Sequence, residues 1–255
     1  MITPKEREEL RRRSSESCRR LILSQRMVEL CEQEATPKQE EFLAFVLEEE
    51  IHRREQNRRA RQLSRACFPV LKSLEGYEYS AIRFPPSLSR EELLSCQFVG
   101  EKKNLILFGP VGIGKTHLAI ALGAKACAMG MNVRFYTVTE LVLKLGEAHR
   151  SGRLERLIRD LVQLDLLILD EWGYVPIDKE GSQLLFRVVA DSYESKSLIL
   201  TTNLEFSKWG GIFTDEQMAA AMIDRLVHHG HLLIFEGQSY RMTHALMRQT
   251  ATPAS

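Results

Sequence analysis

Eight residues, 109–116, constrain the fold of this chain more than any other segment. They read Gly-Pro-Val-Gly-Ile-Gly-Lys-Thr and match the pattern G-x-x-x-x-G-K-[ST]. The apolar run Leu105–Phe108 directly precedes them, and the Ala- and Leu-rich stretch His117–Met129 follows them. A strand, a glycine-rich loop and a helix in this order are the context in which the pattern is specific.

Short apolar runs alternate with helical stretches from residue 104 onward. Continuous apolar strands separated by helices are typical of a parallel sheet that is covered on both faces. The sequence therefore predicts an α/β fold with a five-stranded parallel sheet flanked by helices. The five runs are Leu105–Phe108, Val133–Tyr136, Leu166–Leu169, Leu198–Leu200 and Leu232–Phe235.

The loop 109–116 has the composition of a phosphate-binding loop. Glycines let consecutive backbone N–H groups curl around an anion, and the dipole of the following helix adds to the attraction. Lys115 is predicted to reach the β- and γ-phosphates of a nucleotide, and Thr116 to offer its hydroxyl to Mg²⁺. The predicted nucleotide-contacting residues are Gly109, Pro110, Val111, Gly112, Ile113, Gly114, Lys115, Thr116 and His117.

Polar side chains follow two other apolar runs. Asp170 and Glu171 come directly after the third run, and Asn203 closes the polar end of the fourth. Open α/β sheets bind ligands at the carboxyl ends of their strands. We predict that Asp170 holds magnesium together with Thr116, that Glu171 is the general base, and that Asn203 bonds the attacking water or the γ-phosphate. A simple turn at the strand end is the alternative for Asn203.

The residues before the sheet predict a separate helical domain. Thr36 followed by Pro37 and Gln39 has the form of a capping box, so a helix is expected to begin there. The linker 75–88 contains Gly76 and two prolines and marks the boundary. We predict a helical N-terminal domain over 1–80, with the first ~35 residues mobile. A nucleotide-binding domain over 81–246 and a tail over 247–255 follow.

Composition excludes several classes of protein. The hydrophobic fraction of 44% and the charged fraction of 27% are ordinary for a globular chain. The sequence has no apolar run near the roughly 20 residues that span a bilayer, and residues 1–13 do not resemble a signal peptide. Five scattered cysteines without Cys-x-x-Cys spacing predict reduced thiols and no metal site. We therefore expect a cytoplasmic protein that does not bind membranes.

Four segments together resemble one known family. They are GPVGIGKTHLAIALG, LLILDEWGYVP, SLILTTN and MIDRLVHHGHLLIFEGQSYRM, and the likeness extends back through EFLAFVLEEEIHRREQNRRARQLSRACFPVLKSLEGYEYS. Over residues 38–246 the chain resembles IstB, an AAA+ ATPase encoded with an insertion-sequence transposase and related to the helicase loader DnaC. The resemblance implies an AAA+ P-loop NTPase fold, with ATP and Mg²⁺ as cofactors.

The resemblance also implies roles for three residues. Asn203 corresponds to the sensor 1 residue, and Arg225 to an arginine finger that reaches the nucleotide of a neighbouring subunit. Arg241 lies where a sensor 2 role is expected. The alternative for Arg225 is a surface salt bridge with Asp224 or Glu216, and the alternative for Arg241 is an exposed tail residue.

The segment after the last apolar run bears on how the nucleotide is enclosed. Residues 237–255 are too few for the helical lid domain of many AAA+ proteins, so we expect no C-terminal lid. The nucleotide is then closed off by a neighbouring subunit or left open, which predicts a homo-oligomer with nucleotide at subunit interfaces. The missing lid also weakens the sensor 2 assignment of Arg241.

Members of this family bind duplex DNA with little sequence preference, and two basic segments are candidates for that contact. Arginine and lysine contacts to phosphates give affinity without sequence information. A solvated helix face is the alternative for the segment 52–72, and an amphipathic connecting helix for the segment 144–159. The candidate DNA-contacting residues are Arg53, Arg54, Arg58, Arg59, Arg61, Arg65, Lys144, Arg150, Arg153 and Arg156.

Three functions are compatible with these motifs. The resemblance favours an ATPase that assembles on duplex DNA in an ATP-dependent way and helps a partner transposase to engage its target. The alternative is a DnaC-like loader that acts as an ATP-controlled switch on a replicative helicase. A small-molecule kinase is the weakest reading, because the Asp170–Glu171 pair and the finger candidate Arg225 are not kinase features.

Overall fold

The computed structural model of the chain describes residues 3–174, 176–213 and 215–240. The chain divides into two compact units, residues 1–61 and 62–255. Residues 62–80 belong to the second unit because Leu63, Phe68 and Tyr77 pack against its core. The predicted domain boundary after residue 80 stays a prediction.

The first unit is helical, as the sequence predicts. Its helices are α1 (Pro4–Leu21), α2 (Arg26–Glu34) and α3 (Pro37–Ala66), the last of which continues into the second unit. One of the two bonds of the predicted capping box is present, since the Thr36 backbone N–H donates to Gln39 Oε1 at 2.8 Å. The Gln39 N–H donates to the Thr36 carbonyl oxygen at 2.9 Å rather than to its hydroxyl. The first ~35 residues contain α1 and α2, and their mobility stays a prediction.

A buried carboxylate joins two helices of the first unit. Glu40 on α3 is 3% exposed and accepts hydrogen bonds from two arginines of α1. Arg7 Nε lies 2.8 Å from Glu40 Oε2, and Arg11 Nη2 lies 2.8 Å from Oε1. The bonds from Arg7, aided by those from Arg11, lower the pKa of Glu40 even though burial opposes them. A paired carboxylate of this kind keeps its charge inside a small helical core.

The second unit alternates strands and helices. In chain order its elements are β1 (Ile82–Arg83), α4 (Arg90–Ser95), α5 (Gln97–Gly100), β2 (Asn104–Phe108), α6 (Lys115–Ala128), β3 (Val133–Thr137), α7 (Val138–Arg150), α8 (Leu154–Val162), β4 (Leu166–Trp172), α9 (Lys179–Ser192), β5 (Ser197–Thr202), α10 (Gly210–Phe213), α11 (Glu216–His228) and β6 (Gly230–Phe235). A short 3₁₀ helix spans Phe206–Lys208.

The described strands form one sheet in the order β1-β6-β2-β5-β4-β3. The five predicted strands are confirmed and run parallel, while β1 adds a short antiparallel strand beside β6. The fold is α/β with a predominantly parallel sheet, as predicted, but has six strands rather than five. Because β2, β5 and β4 are neighbours, the polar residues at their carboxyl ends meet at one edge.

Apolar side chains cover the sheet on both faces. Leu105, Leu107 and Ile168 belong to the core beneath α6, whereas Ile106 and Leu167 belong to the core on the other face. This division follows from the alternation of side chains along each strand. Within the described residues, no helix is both long and apolar enough to cross a bilayer.

Candidate functional site

The loop between β2 and α6 depends on glycine at two positions. Gly109 has φ +151° and Gly114 has φ +104°, a region that side-chain-bearing residues rarely adopt. A Cβ atom at Gly109 would lie 2.4 Å from the backbone oxygen of Phe235 on β6. Glycine at position 109 therefore lets the loop start close against the neighbouring strand.

Lys115 begins α6 and extends back over the loop. Its ammonium donates to the carbonyl oxygens of Gly109 at 2.7 Å and Pro110 at 2.6 Å, and the residue is 9% exposed. A positive charge and the amino end of a 14-residue helix thus lie at the same place. Both attract an anion, and an anion held by the loop amides would lie within reach of this amine.

Thr116 and Asp170 are brought together, as the predicted magnesium site requires. The Thr116 hydroxyl donates to Asp170 Oδ1 at 2.9 Å. Thr201 of β5 donates to the same carboxylate oxygen, and Asp170 is 5% exposed. Hydroxyl and carboxylate oxygens are the ligands that Mg²⁺ prefers. This donor set fits a magnesium ion coordinated beside a triphosphate.

Glu171 lies next to that pair in an unusual backbone conformation. It has φ +62°, and its side chain is exposed. The pairing of β4 with β5 shifts register between Leu169 and Trp172, which marks a β-bulge. Bulges and left-handed non-glycine residues are concentrated near functional sites, where they re-aim a side chain.

Asn203 follows β5 directly and is exposed at the same edge of the sheet. Gly109 N–H donates to the carbonyl oxygen of Thr202 at 3.1 Å, so the start of the loop is tied to the residue before Asn203. The predicted loop, the two carboxylates and the amide are therefore on neighbouring strand ends.

Three contacts near the loop were not predicted from the sequence. The Tyr77 hydroxyl donates to the Gly114 carbonyl at 3.1 Å, and its ring lies 5.1 Å from that of His117. His117 Nε2 contacts the Ser73 carbonyl oxygen at 2.8 Å. Burial raises the pKa of Tyr77, so its hydroxyl stays a donor at neutral pH. The tyrosines of the linker 75–88 were the available signal, but they predict only an anchored linker.

The sequence model of one family, described as IstB-like ATP binding protein, matches residues 22–248. The chain belongs to this family. It is 40% identical over 222 residues to a Pseudomonas aeruginosa protein whose name assigns it to insertion sequence IS21 and to ATP binding, covering 84% of this chain and 83% of the relative.

A second relative agrees with that assignment, and one solved structure shares the fold. A Geobacillus stearothermophilus protein named for insertion sequence IS5376 and ATP binding is 35% identical over 238 residues, covering 91% of this chain and 95% of the relative. The structure of AMPPCP-bound DnaA from Aquifex aeolicus matches with a TM-score of 0.50 and 21% identity, over 66% of this chain and 51% of that one. The latter likeness concerns the fold alone. The chain is thus an IstB-like ATP-binding protein with an AAA+ P-loop fold.

Arg225 of this IstB-like protein is on the part of α11 whose main chain lies beside the amino end of β2, whereas the phosphate loop follows the carboxyl end of that strand. The next residue, Leu226, accepts a hydrogen bond from the Asn104 side chain at 3.2 Å, at the amino end of β2. The loop leaves the other end of that strand, about 13 Å away. The Arg225 guanidinium donates to Ala221 O at 2.9 Å and lies 5.1 Å from the centre of the Phe186 ring.

Among the described residues, no ion pair joins Arg225 to Asp224 or Glu216. Arg241 lies outside the described residues, so its sensor 2 role stays a prediction.

The basic residues of α3 are exposed. Arg54, Arg58 and Arg61 follow one another at intervals of four and three residues, so they lie along one face of the helix. Arg54 pairs with Glu50 at 2.7 Å. The other exposed arginines of the predicted set on this helix are Arg53, Arg59 and Arg65.

The second predicted basic segment forms the helices α7 and α8 between β3 and β4. Ile158 and Leu161 are buried, so the amphipathic alternative is correct for the packed face of α8. The predicted DNA-contacting residues Lys144, Arg150, Arg153 and Arg156 are all exposed. Lys144 Nζ donates to Tyr136 Oη at 3.1 Å, and Arg153 pairs with Glu147 at 3.6 Å.

Proposed function

We propose that this IstB-like protein is a Mg²⁺-dependent ATPase that assembles on duplex DNA with little sequence preference and helps a partner transposase to engage target DNA. One observation carries the proposal. Lys115, Thr116, Asp170 and Glu171 share one edge of the sheet, while Arg225 lies toward the opposite edge. A single chain thus holds the nucleotide-binding half of an active site, while its candidate arginine finger, Arg225, lies at another place on the chain.

The residues at the carboxyl edge have separate tasks. The loop amides and Lys115 bind the β- and γ-phosphates and neutralise their charge, and Thr116 with Asp170 holds the magnesium ion. Glu171 takes a proton from the attacking water, and Asn203 orients that water. Magnesium, when bound, stabilises the negative charge that develops on the phosphate oxygens.

Arg225 completes the site of a neighbouring subunit. Its distance from the loop of its own chain supports a role in trans, since a planar guanidinium stabilises phosphoryl charge only in contact. Arginine fingers contribute about 10³–10⁵ in rate in well-studied GTPases. Because hydrolysis needs this arginine from a neighbouring subunit, it occurs only in the oligomer. The binding and hydrolysis of ATP thereby control assembly.

A row of exposed arginines on α3, together with the exposed basic residues of α7 and α8, contacts the DNA backbone. Arg54, Arg58 and Arg61 form a row on one helix face, which suits a line of phosphates better than a set of base edges. Such contacts supply affinity that is independent of sequence and sensitive to salt.

The relatives favour transposition over helicase loading. The two similar proteins from Pseudomonas aeruginosa and Geobacillus stearothermophilus both bear insertion-sequence names. The likeness to replication proteins is limited to the fold. We therefore assign the partner as the transposase of the same element rather than a replicative helicase.

Sedimentation of the protein with duplex DNA tests the proposal. Wild-type protein should form large complexes with DNA when ATP or a non-hydrolysable analogue and magnesium are present, and Lys115→Ala should not. Lys125→Ala, an exposed lysine on the same helix, is the matched control and should assemble normally. Equal assembly of Lys115→Ala and wild type, or assembly that is independent of nucleotide, would contradict the proposal.

A further inference from the structure

We infer that Thr201 is a positioning residue that sets the two carboxylates Asp170 and Glu171 for catalysis. This inference rests on the proposed ATPase function and adds a residue to its machinery. Thr201 lies on β5, two positions before Asn203, and is 2% exposed. A threonine inside a buried strand is ordinary from sequence alone, because β-branched residues favour strands. The contacts of its hydroxyl distinguish it.

The Thr201 hydroxyl makes two hydrogen bonds with different directions. It donates its proton to Asp170 Oδ1, because an ionised carboxylate can only accept. Its oxygen accepts the backbone N–H of Glu171 at 3.1 Å. One hydroxyl therefore contacts the side chain of the candidate magnesium ligand and the main chain of the candidate general base.

The bulge in β4 explains why the second bond is needed. Leu169 pairs with Leu200 and Trp172 pairs with Thr202, so residues 170 and 171 together face Thr201. An extra residue in one strand leaves a main-chain group without its ladder partner. The side chain of Thr201 takes that N–H at Glu171, where φ is +62°. The hydroxyl thereby stabilises the conformation that directs Glu171 outward.

The two bonds also link the strand that carries Asn203 to the carboxylate pair. Trp172, the residue after Glu171, is fully buried, and its carbonyl oxygen accepts a bond from the Thr202 hydroxyl at 2.8 Å. The bulge is thus held on both sides by consecutive hydroxyls of β5. Because Thr201 contacts both carboxylate-bearing residues but not the loop glycines, its loss should impair hydrolysis more than nucleotide binding.

Thr201→Val tests the inference, since valine keeps the shape and removes the hydroxyl. We expect kcat of the DNA-stimulated ATPase to fall by about 10–100-fold, with KM for ATP and retention of ATP little changed. Thr201→Ser keeps the hydroxyl and should restore kcat to near the wild-type value. Thermal unfolding of each variant identifies any loss of folded protein.

Three results would overturn the inference. Wild-type kcat in Thr201→Val would show that the hydroxyl is dispensable, and failure of Thr201→Ser to restore kcat would show that the methyl group matters instead. Loss of ATP retention together with kcat would indicate a general structural role.

If the valine variant does not fold, Thr201→Cys should give an intermediate kcat, and a wild-type kcat there would likewise reject the role. Absence of ATPase activity in the wild type itself would reject the proposed function, which is a separate outcome.

Discussion

The hydroxyl of Thr116 donates a hydrogen bond to Asp170 Oδ1 at 2.9 Å, although the residues are 54 positions apart. Thr116 is held by the first turn of α6 and Asp170 by the end of β4. The contact exists because β5 lies between β2 and β4 and aligns their carboxyl ends. The Asp170 carboxylate and the Thr116 hydroxyl together offer the oxygen ligands that suit a magnesium ion.

Asp170→Asn tests the role assigned to this carboxylate. The amide keeps the size of the side chain but removes the charge that attracts the metal, so the magnesium concentration for half-maximal ATPase activity should rise by about 10–100-fold. Titration of activity with Mg²⁺ at saturating ATP measures it. Asp165→Asn, in the turn before β4, is the control and should leave the magnesium requirement unchanged. An unaltered requirement in Asp170→Asn would remove Asp170 from the metal site.

Glu171→Gln should separate binding from hydrolysis. The amide cannot accept a proton from water, so kcat should fall by about 10²–10⁴-fold while ATP stays bound. Complexes of the variant with DNA should then persist in the presence of ATP, because the hydrolysis that would let the assembly dissociate is slow. Single-turnover hydrolysis and complex lifetime are the measurements. Glu180→Gln, an exposed carboxylate on α9, serves as the control. Near-normal hydrolysis by Glu171→Gln would assign the base to another group.

The arginine row on α3 predicts a specific salt dependence. Arg58 and Arg61 share one face of the helix, whereas Arg53 and Arg59 lie off that face. Replacing Arg58 and Arg61 by alanine should reduce the slope of log K against log salt by about two, since each lost phosphate contact removes about one. The Arg53 and Arg59 double variant has the same net charge and should change the slope less. Equal effects of the two pairs would mean that only net charge matters.

Glu40 predicts how the first unit responds to acid. Its pKa is lowered in the folded chain by the bonds from Arg7 and then Arg11, so its stabilisation is complete above its ordinary pKa of about 4.3. The stabilisation is lost as the pH falls through the lower folded-state pKa. Glu40→Gln should reduce the free energy of unfolding at pH 7 by about 1 kcal/mol, because Arg7 and Arg11, each about a third exposed, lose their charged acceptor.

A matched variant and a pH series test the effect predicted for Glu40→Gln. Glu41→Gln removes an exposed carboxylate on the same helix turn and should change stability little. Urea unfolding followed by circular dichroism at pH 7 and in acid measures both variants. The difference between wild type and Glu40→Gln should shrink in acid, and a difference that is constant with pH would show that Glu40 is not held ionised.

Much of the site was predictable because its signals are local. The glycine-rich loop, the apolar strands and the residues at their ends lie in short segments, and the order of the strands brings Thr116 to Asp170. The short strand Ile82–Arg83 was missed because two residues carry no periodicity. The bulge at Glu171 and its contact with Thr201 were also missed, because they depend on the register of β4 against β5. The contact between Tyr77 and Gly114 was missed because the two residues are 37 positions apart, and no local pattern in the linker predicts it.

The central claim is that each active site combines residues of two subunits, and a mixing experiment tests it most directly. Glu171→Gln, which keeps the phosphate loop and still assembles, and Arg225→Ala should each be nearly inactive in DNA-stimulated ATP hydrolysis alone. In an equal mixture, an intact Glu171 meets an intact Arg225 at about a quarter of the interfaces of a cyclic or helical assembly, so a corresponding fraction of wild-type activity should return. A mixture as inactive as its components, or full activity in Arg225→Ala alone, would contradict the account.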